Sequence, residues 1–213
     1  FLPRPEVADI PNLDRSPDDN STYKTWTLDE LVALTHEVSQ SDVLLSDTLP
    51  QGDAFRWLLQ ELGPETESEI ILGVRVQQRY ILAALYFATS GGQWAKSNRW
   101  LSDEHECTWS GIKCGPLVAS TFAVEEDTPV DAVTSIDLSS NTLSGSLISE
   151  LRGFNELVAL QLHDNMITGP ISDRIFTFPK LGRCCHLFSA VEGTINSLLD
   201  TLFVPRNSIS SRQ

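Results

Sequence analysis

Apolar residues in the first part of the chain recur three or four positions apart, the spacing of one helical face. Leu28, Leu31, Leu34 and Val38 form the first such row. Thr27-Leu28-Asp29-Glu30 ahead of it has the form of a capping box, in which Thr27 and Glu30 each satisfy a free backbone N–H at a helix start. From Pro50 to Leu62 the pattern returns, with Phe55, Leu58, Leu59 and Leu62 on one side. A longer helix is expected over 68–88, with Ile70, Ile71, Val74, Ile81, Leu82 and Leu85 as its apolar face and Ser90-Gly91-Gly92 as its stop. Its most apolar run, YILAALYFA, has nine residues. A membrane span needs about 20, so this run is expected to be a buried helix.

From Val133 the period changes. VTSIDLSSNTLSGSLISELRGFNE (133–156) and LVALQLHDNMITGPISDRIFTFPK (157–180) match at an offset of 24 positions. Leu138 aligns with Leu162, Asn141 with Asn165 and Gly145 with Gly169, while Ile136/Leu160, Leu143/Ile167, Leu147/Ile171 and Leu151/Ile175 keep the same register. In such a unit L-x-x-L-x-L makes a short strand, and Asn turns inward so that its amide bonds the backbone of adjacent turns. Gly permits the bend that follows. One coil cannot cover its own apolar side, so coils stack. The spacing is that of a leucine-rich repeat. A third unit, 181–204, is degenerate: Leu181, Val191, Gly193, Ile195, Leu199 and Leu202 hold the frame, but Cys184 and His186 stand at apolar strand positions and Ser189 stands for Asn. The fold class expected is α/β: a helical lead-in followed by a short leucine-rich-repeat solenoid, a right-handed superhelix.

This divides the chain into an acidic leader (1–26), the helical lead-in (27–92), a cap with an acidic insert, VEEDTP (93–132), the repeats (133–204) and a tail (205–213). The chain begins at Phe1, which suggests a processed or truncated piece, and the open end of the repeats suggests the start of a longer array. Of its 213 residues, 41% are hydrophobic, enough for a packed core. The net charge of −14 is concentrated in residues 1–70, where 15 acidic residues face four basic ones. A surface of that sign repels phosphates, which argues against nucleic acid and an anionic membrane face as partners.

Among only four cysteines, Cys107 and Cys114 enclose a Trp, a Gly and an Ile in CTWSGIKC. Together with Trp100, Trp109 and Gly111, this segment resembles the N-terminal cap of plant-type leucine-rich-repeat proteins, in which a Trp precedes C-x-W-x-G-x-x-C. The repeats are similar to that family's L-x-x-L-x-L-x-x-N-x-L-x-G-x-I-P, with Ile148 and Ser172 where its Pro is expected. The lead-in, from DAFRWLLQEL to QRYILAALYFATSGGQW, is similar to that of receptor-like repeat proteins of diatoms. The family implies a Cys107–Cys114 disulfide, worth about 2–3 kcal/mol for so short a loop, with Trp109 and Ile112 as a buried plug. The alternatives are two reduced buried cysteines, or half of a zinc site, against which stand the spacing and the lack of a second pair at ligand distance. Cys184 and Cys185, being adjacent, are left without a role.

Asp103-Glu104-His105-Glu106-Cys107 is the densest run of potential metal or acid–base groups, and it reads more simply as a solvated loop. His36, His105, His163 and His186 have no catalytic spacing, and neither a phosphate cradle nor a nucleophile elbow is present. No catalysis, metal or cofactor is expected. The resemblance places the outward strand residues on a concave binding face: Thr134, Ser135, Asp137, Ser139 and Ser140, then Val158, Ala159, Gln161, His163 and Asp164. Asn141 and Asn165 form the structural ladder. The function implied is a non-catalytic protein-recognition module, the ectodomain of a receptor-like or secreted repeat protein with a protein or peptide ligand and any membrane anchor outside this stretch. The alternatives are an adhesive extracellular protein without a defined ligand, or an enzyme using the acidic cap loop.

Overall fold

The computed structural model describes residues 23–24, 26–63, 68–69, 73–117 and 131–169. Two residues, Tyr23–Lys24 (β1), open the described chain and pair antiparallel with Ser68–Glu69 (β2). Helix α1, Leu28–His36, starts at the expected capping box: the Glu30 N–H donates to Thr27 Oγ1 at 3.3 Å, and the Thr27 N–H donates to Glu30 Oε2 at 2.8 Å. Leu31 is fully buried, but Leu28 is 47% exposed and so lies off the core face. A single turn, α2 (Ser41–Leu44), leads to α3, Pro50–Leu62, which has Pro at its first position, where its missing N–H costs nothing. Phe55, Leu58 and Leu62 of α3 are buried, and Leu59 packs against the core at its margin.

Helix α4 spans Gly73–Ala88 and is the spine of the molecule. It begins five residues later than the periodicity suggests, because Ser68–Glu69 is spent on pairing with β1. Val76 and every residue from Gln78 to Leu85 are buried, so this helix has no solvent face over its middle turns. It packs against α1 and α3, and also against β4 and the 3₁₀ turn Ser149–Gly153 described below. It ends at the expected stop, with Ser90 in the left-handed region at φ 57° before a 3₁₀ turn at Gly91–Gln93.

Beyond it, Ile112–Pro116 (β3) runs antiparallel to Asp131–Asp137 (β4), which pairs in parallel with Ala159–Gln161 (β6). Ser144–Gly145 (β5) pairs in parallel with Met166–Ile167 (β7). The register of β4 on β6 matches Ser135 with Ala159, Ile136 with Leu160 and Asp137 with Gln161. That is the 24-residue offset seen in the sequence. Ile136, Leu138, Leu143, Leu160, Leu162 and Ile167 all point into the core.

These elements nevertheless do not make the expected right-handed leucine-rich-repeat solenoid. The described residues form four helices and a small mixed sheet of few strands. In a solenoid each coil covers the apolar flank of the next, all running one way. Here β3 closes the free edge of β4 in the opposite direction, and α4 packs against β4 and the turn Ser149–Gly153 to cover the apolar side of the first unit. The cover comes from the lead-in helices, and the units are joined to them in one hydrophobic core. Most of the leader, Ile70, Ile71, the insert VEEDTP, Ile171, Ser172, Ile175, the third unit with Cys184, Cys185 and His186, and the tail lie outside the described residues. Within the leader, Trp26 is buried, so the fold already begins there.

Because α4 is shared by both halves of the core, Leu82→Ala should destabilise the whole molecule in one transition. Leu82 is fully buried, and the expected loss is about 2–5 kcal/mol. Urea unfolding followed by tryptophan fluorescence and far-UV circular dichroism checks this. Two separated transitions, or a loss below about 1 kcal/mol, would contradict it.

Candidate functional site

The cap is built on α3 and α4 before it touches the strands. Cys107 and Cys114 form a disulfide with a Cα–Cα distance of 5.5 Å. It ties the 3₁₀ turn Glu106–Thr108 to β3. Trp109 and Ile112 are buried, as the plug requires. The Gly111 carbonyl accepts the Asp137 N–H at 2.8 Å. Gly111 has φ +85°, and a Cβ there would lie 2.2 Å from the Asp137 carbonyl oxygen, so only glycine fits. Trp94, Trp100 and Trp109 pack in sequence, with centroids 4.7 and 5.3 Å apart.

Beneath Trp109 sits a charged cluster that the sequence did not single out. The Arg79 guanidinium is fully buried and lies between the Trp57 and Trp109 rings, 5.4 and 5.1 Å from their centroids. It donates to the carbonyls of Ser102 (2.7 Å) and Glu104 (2.9 Å) and pairs with Glu61 and Glu106. Arg75, one turn earlier, grips Glu106 through two bonds of 3.1 and 2.8 Å. Glu106 therefore does not belong to a solvated loop; its side chain is wholly buried. Burial alone would raise its pKa, but hydrogen bonds and charge from Arg75 outweigh that and hold it below the usual range. Burial pushes the Glu61 carboxyl up to about 7, against the pull of Arg79. Two arginines four positions apart at the start of a helix that is apolar in its second half were the available signal.

The proposed recognition residues follow the β4–β6 register. Asp137 and Gln161 are directly paired, and Ser139 and His163 follow at the strand ends, where the Ser140 N–H donates to the His163 carbonyl at 3.0 Å. Asp137, Ser140, Val158 and Asp164 are exposed, whereas Thr134, Ser135, Ser139, Ala159, Gln161 and His163 are half-buried. The Ser139 hydroxyl donates to Asp137 Oδ1 at 2.6 Å and the Ser139 N–H donates to the same oxygen at 3.1 Å. Those hydrogen bonds, with the nearby charges of His163 and Lys96, hold the Asp137 carboxyl below its ordinary pKa. The Ser140 hydroxyl reaches Asp164 at 3.3 Å.

The two asparagines bind backbone on either side. Asn165 Oδ1 accepts the N–H groups of Asn141 and Leu143, both at 3.0 Å, and its amide donates to the carbonyls of Leu138 (2.7 Å) and Leu162 (3.0 Å). Asn141 does the same for the cap: its Oδ1 accepts the Lys96 N–H at 2.5 Å and its amide donates to the Lys96 carbonyl at 3.1 Å. Each asparagine thus joins one unit to what precedes it. Chemically, the outer row offers hydroxyl, amide, imidazole and carboxylate groups held at fixed spacing. In the cap, Glu104 and Glu106 are already engaged by arginine.

Asn165→Ala should speed amide hydrogen exchange selectively at Asn141 and Leu143 and cost about 1–3 kcal/mol; unchanged protection there would refute the ladder. The Glu61 shift has a definite sign. Between its ordinary 4.5 and about 7 the folded state holds a proton that the unfolded state releases, so stability falls as pH rises through that window. Glu106, with its lowered pKa, contributes in the opposite sense and only at more acidic pH. Glu61→Gln should therefore flatten the decline between pH 4.5 and 7 in a series of urea titrations. An unaltered slope would mean that Glu61 is not the titrating group. No protein-family model matches the chain, and no curated protein matches it either.

Proposed function

We propose that this chain is a non-catalytic recognition module that binds a protein or peptide segment on the polar face of β4 and β6. The observation that carries this reading is the division of the two strands. Ile136, Leu138, Leu160 and Leu162 enter the core, while Asp137, Ser139, Gln161, His163 and Asp164 remain accessible in a backbone held rigid by Asn141 and Asn165. Rigid elements carrying adaptable polar groups are what a recognition surface needs, because little ordering entropy is lost on binding. Asp137 stays ionised and Asp164, beside Ser140 three positions further along the row, adds a second carboxylate on a chain whose net charge is −14. The partner that suits this face is a segment bearing cationic side chains among hydrogen-bonding ones.

The resemblance of the cap and of the 24-residue units to plant-type leucine-rich-repeat proteins supports the same class. The cap disulfide supports an oxidising, extracellular or cell-surface setting. Among the described residues no helix is long and apolar enough to cross a membrane. The engagement of Glu106 by two arginines, and of Cys107 by Cys114, argues against the acidic cap loop as an acid–base centre.

A display library of random peptides selected against the folded chain tests the proposal. Selected peptides should be enriched in Lys and Arg. Asp137→Lys and the pair Gln161→Ala, His163→Ala should each weaken them at least about tenfold, roughly 1.4 kcal/mol. Leu28→Glu, on the exposed side of α1, should leave binding unchanged. Equal binding by all variants, or loss only with Leu28→Glu, would overturn it.

A further inference from the structure

The cap holds more donor atoms than its disulfide uses. His105 caps the 3₁₀ turn that contains Cys107, and its Nδ1 accepts the Cys107 N–H at 3.2 Å. Asp131 opens β4 opposite Pro116, two residues beyond Cys114 on β3. One donor atom from each of His105, Cys107 and Asp131 lies within 4.8 Å of the others. Cys114 Sγ is bonded to Cys107 Sγ and so adjoins this group as a fourth donor, a second sulfur, once the bond opens. His105 and Cys107 are half-buried and Asp131 is exposed, which leaves the group open to solvent ions. Spacing in the sequence argues against zinc because the two cysteines lack a second pair. The fold supplies that pair from His105 and Asp131.

We infer that reduction of the Cys107–Cys114 disulfide converts this corner of the cap into a binding site for one thiophilic divalent cation of the zinc class, ligated by Cys107, Cys114, His105 and Asp131. A dithiol reductant supplies two electrons and two protons; the S–S bond breaks, two thiols form and the dithiol becomes a disulfide. The cation then displaces both thiol protons to solvent. Two thiolates, an imidazole and a carboxylate favour zinc over calcium or magnesium, which prefer all-oxygen sets. Bonds of about 2.0–2.3 Å put tetrahedral donors roughly 3.3–3.8 Å apart. For His105, Cys107 and Asp131, closing from at most 4.8 Å therefore asks for a contraction of about 1–1.5 Å, and side-chain rotation at Cys114 completes the set once the disulfide opens. A bound ion would hold Cys107 and Cys114 together as the disulfide does, so the cap would keep its staple in either redox state.

The test uses the full chain with Cys184→Ser and Cys185→Ser, so that only the cap thiols remain. It is reduced with a phosphine, which ends as the phosphine oxide, then desalted under argon. Cobalt(II) alone is the probe. The expected result is one cobalt per chain, with thiolate-to-metal charge transfer and the visible bands of a tetrahedral site, displaced by zinc. Oxidised protein should show neither signal. His105→Ala and Asp131→Ala should each weaken cobalt binding at least about tenfold. If reduction loosens the cap, refolding on metal addition, followed by circular dichroism, counts in favour, since binding and folding are then one process. The inference is overturned by absence of the tetrahedral bands, by identical spectra before and after reduction, by failure of a loosened chain to refold with metal, or by His105→Ala and Asp131→Ala variants that bind like the parent.

Discussion

The fold depends on burying one positive charge. Arg79 sits on the central helix with no solvent contact, and removing a guanidinium from water is costly unless every donor and the charge itself are matched. Two carboxylates, two carbonyls and two indole rings match the charge and both terminal nitrogens, while Nε is buried without a hydrogen-bond partner among the described residues. These groups come from different places: Glu61 and Trp57 from α3, and Ser102, Glu104, Glu106 and Trp109 from the cap. The requirement of a single side chain thus sets where the cap stands on the helices. Arg75 completes the arrangement by holding Glu106 from the preceding turn. Such a cluster contributes less to net stability than an apolar core of the same volume, but it tolerates few alternative placements of the cap.

From that anchored cap the two strand-bearing units extend by backbone satisfaction. Asn141 binds the segment at Lys96, and Asn165 binds the first unit in the same manner. Gly145, at φ +113°, lets the first unit pass so close to the end of α4 that a Cβ would meet the Ala88 carbonyl oxygen at 2.3 Å. The Ser144 N–H donates to the Thr89 carbonyl at that junction. The polar row of β4 and β6 is held from one side by the cap and, at β4, from beneath by α4. Its side chains can vary without disturbing the core, which is the circumstance in which a surface becomes free to acquire a ligand.

Much of this was legible from the chain alone. Thr27 and Glu30 lie three apart before an apolar row, and local hydrogen bonding is enough to make them a capping box. The 24-residue offset appears as the β4–β6 register because parallel pairing of equivalent segments places equivalent residues side by side. Asn141 and Asn165 were readable for the same reason. Less legible were matters decided by distant contacts. Leu28 has helical spacing yet faces solvent. Glu106 stands in a run of charged residues and looks solvated, but the two arginines that bury it lie 31 and 27 positions earlier.

The sequence by itself determined much of the local structure: where α1 starts, where α3 starts and ends and where α4 stops, which residues alternate inward along the strands, and which two units share a register. These follow from hydrogen bonds and side-chain periodicity within a few residues. Only the tertiary structure decided what covers the apolar side of those units. A repeat pattern states that each unit needs a cover, but the pattern is silent on whether another unit or an unrelated helix provides it. Here α4 covers the first unit while the antiparallel β3 closes its edge, because α4 presents a continuous buried face that contacts both β4 and the turn Ser149–Gly153.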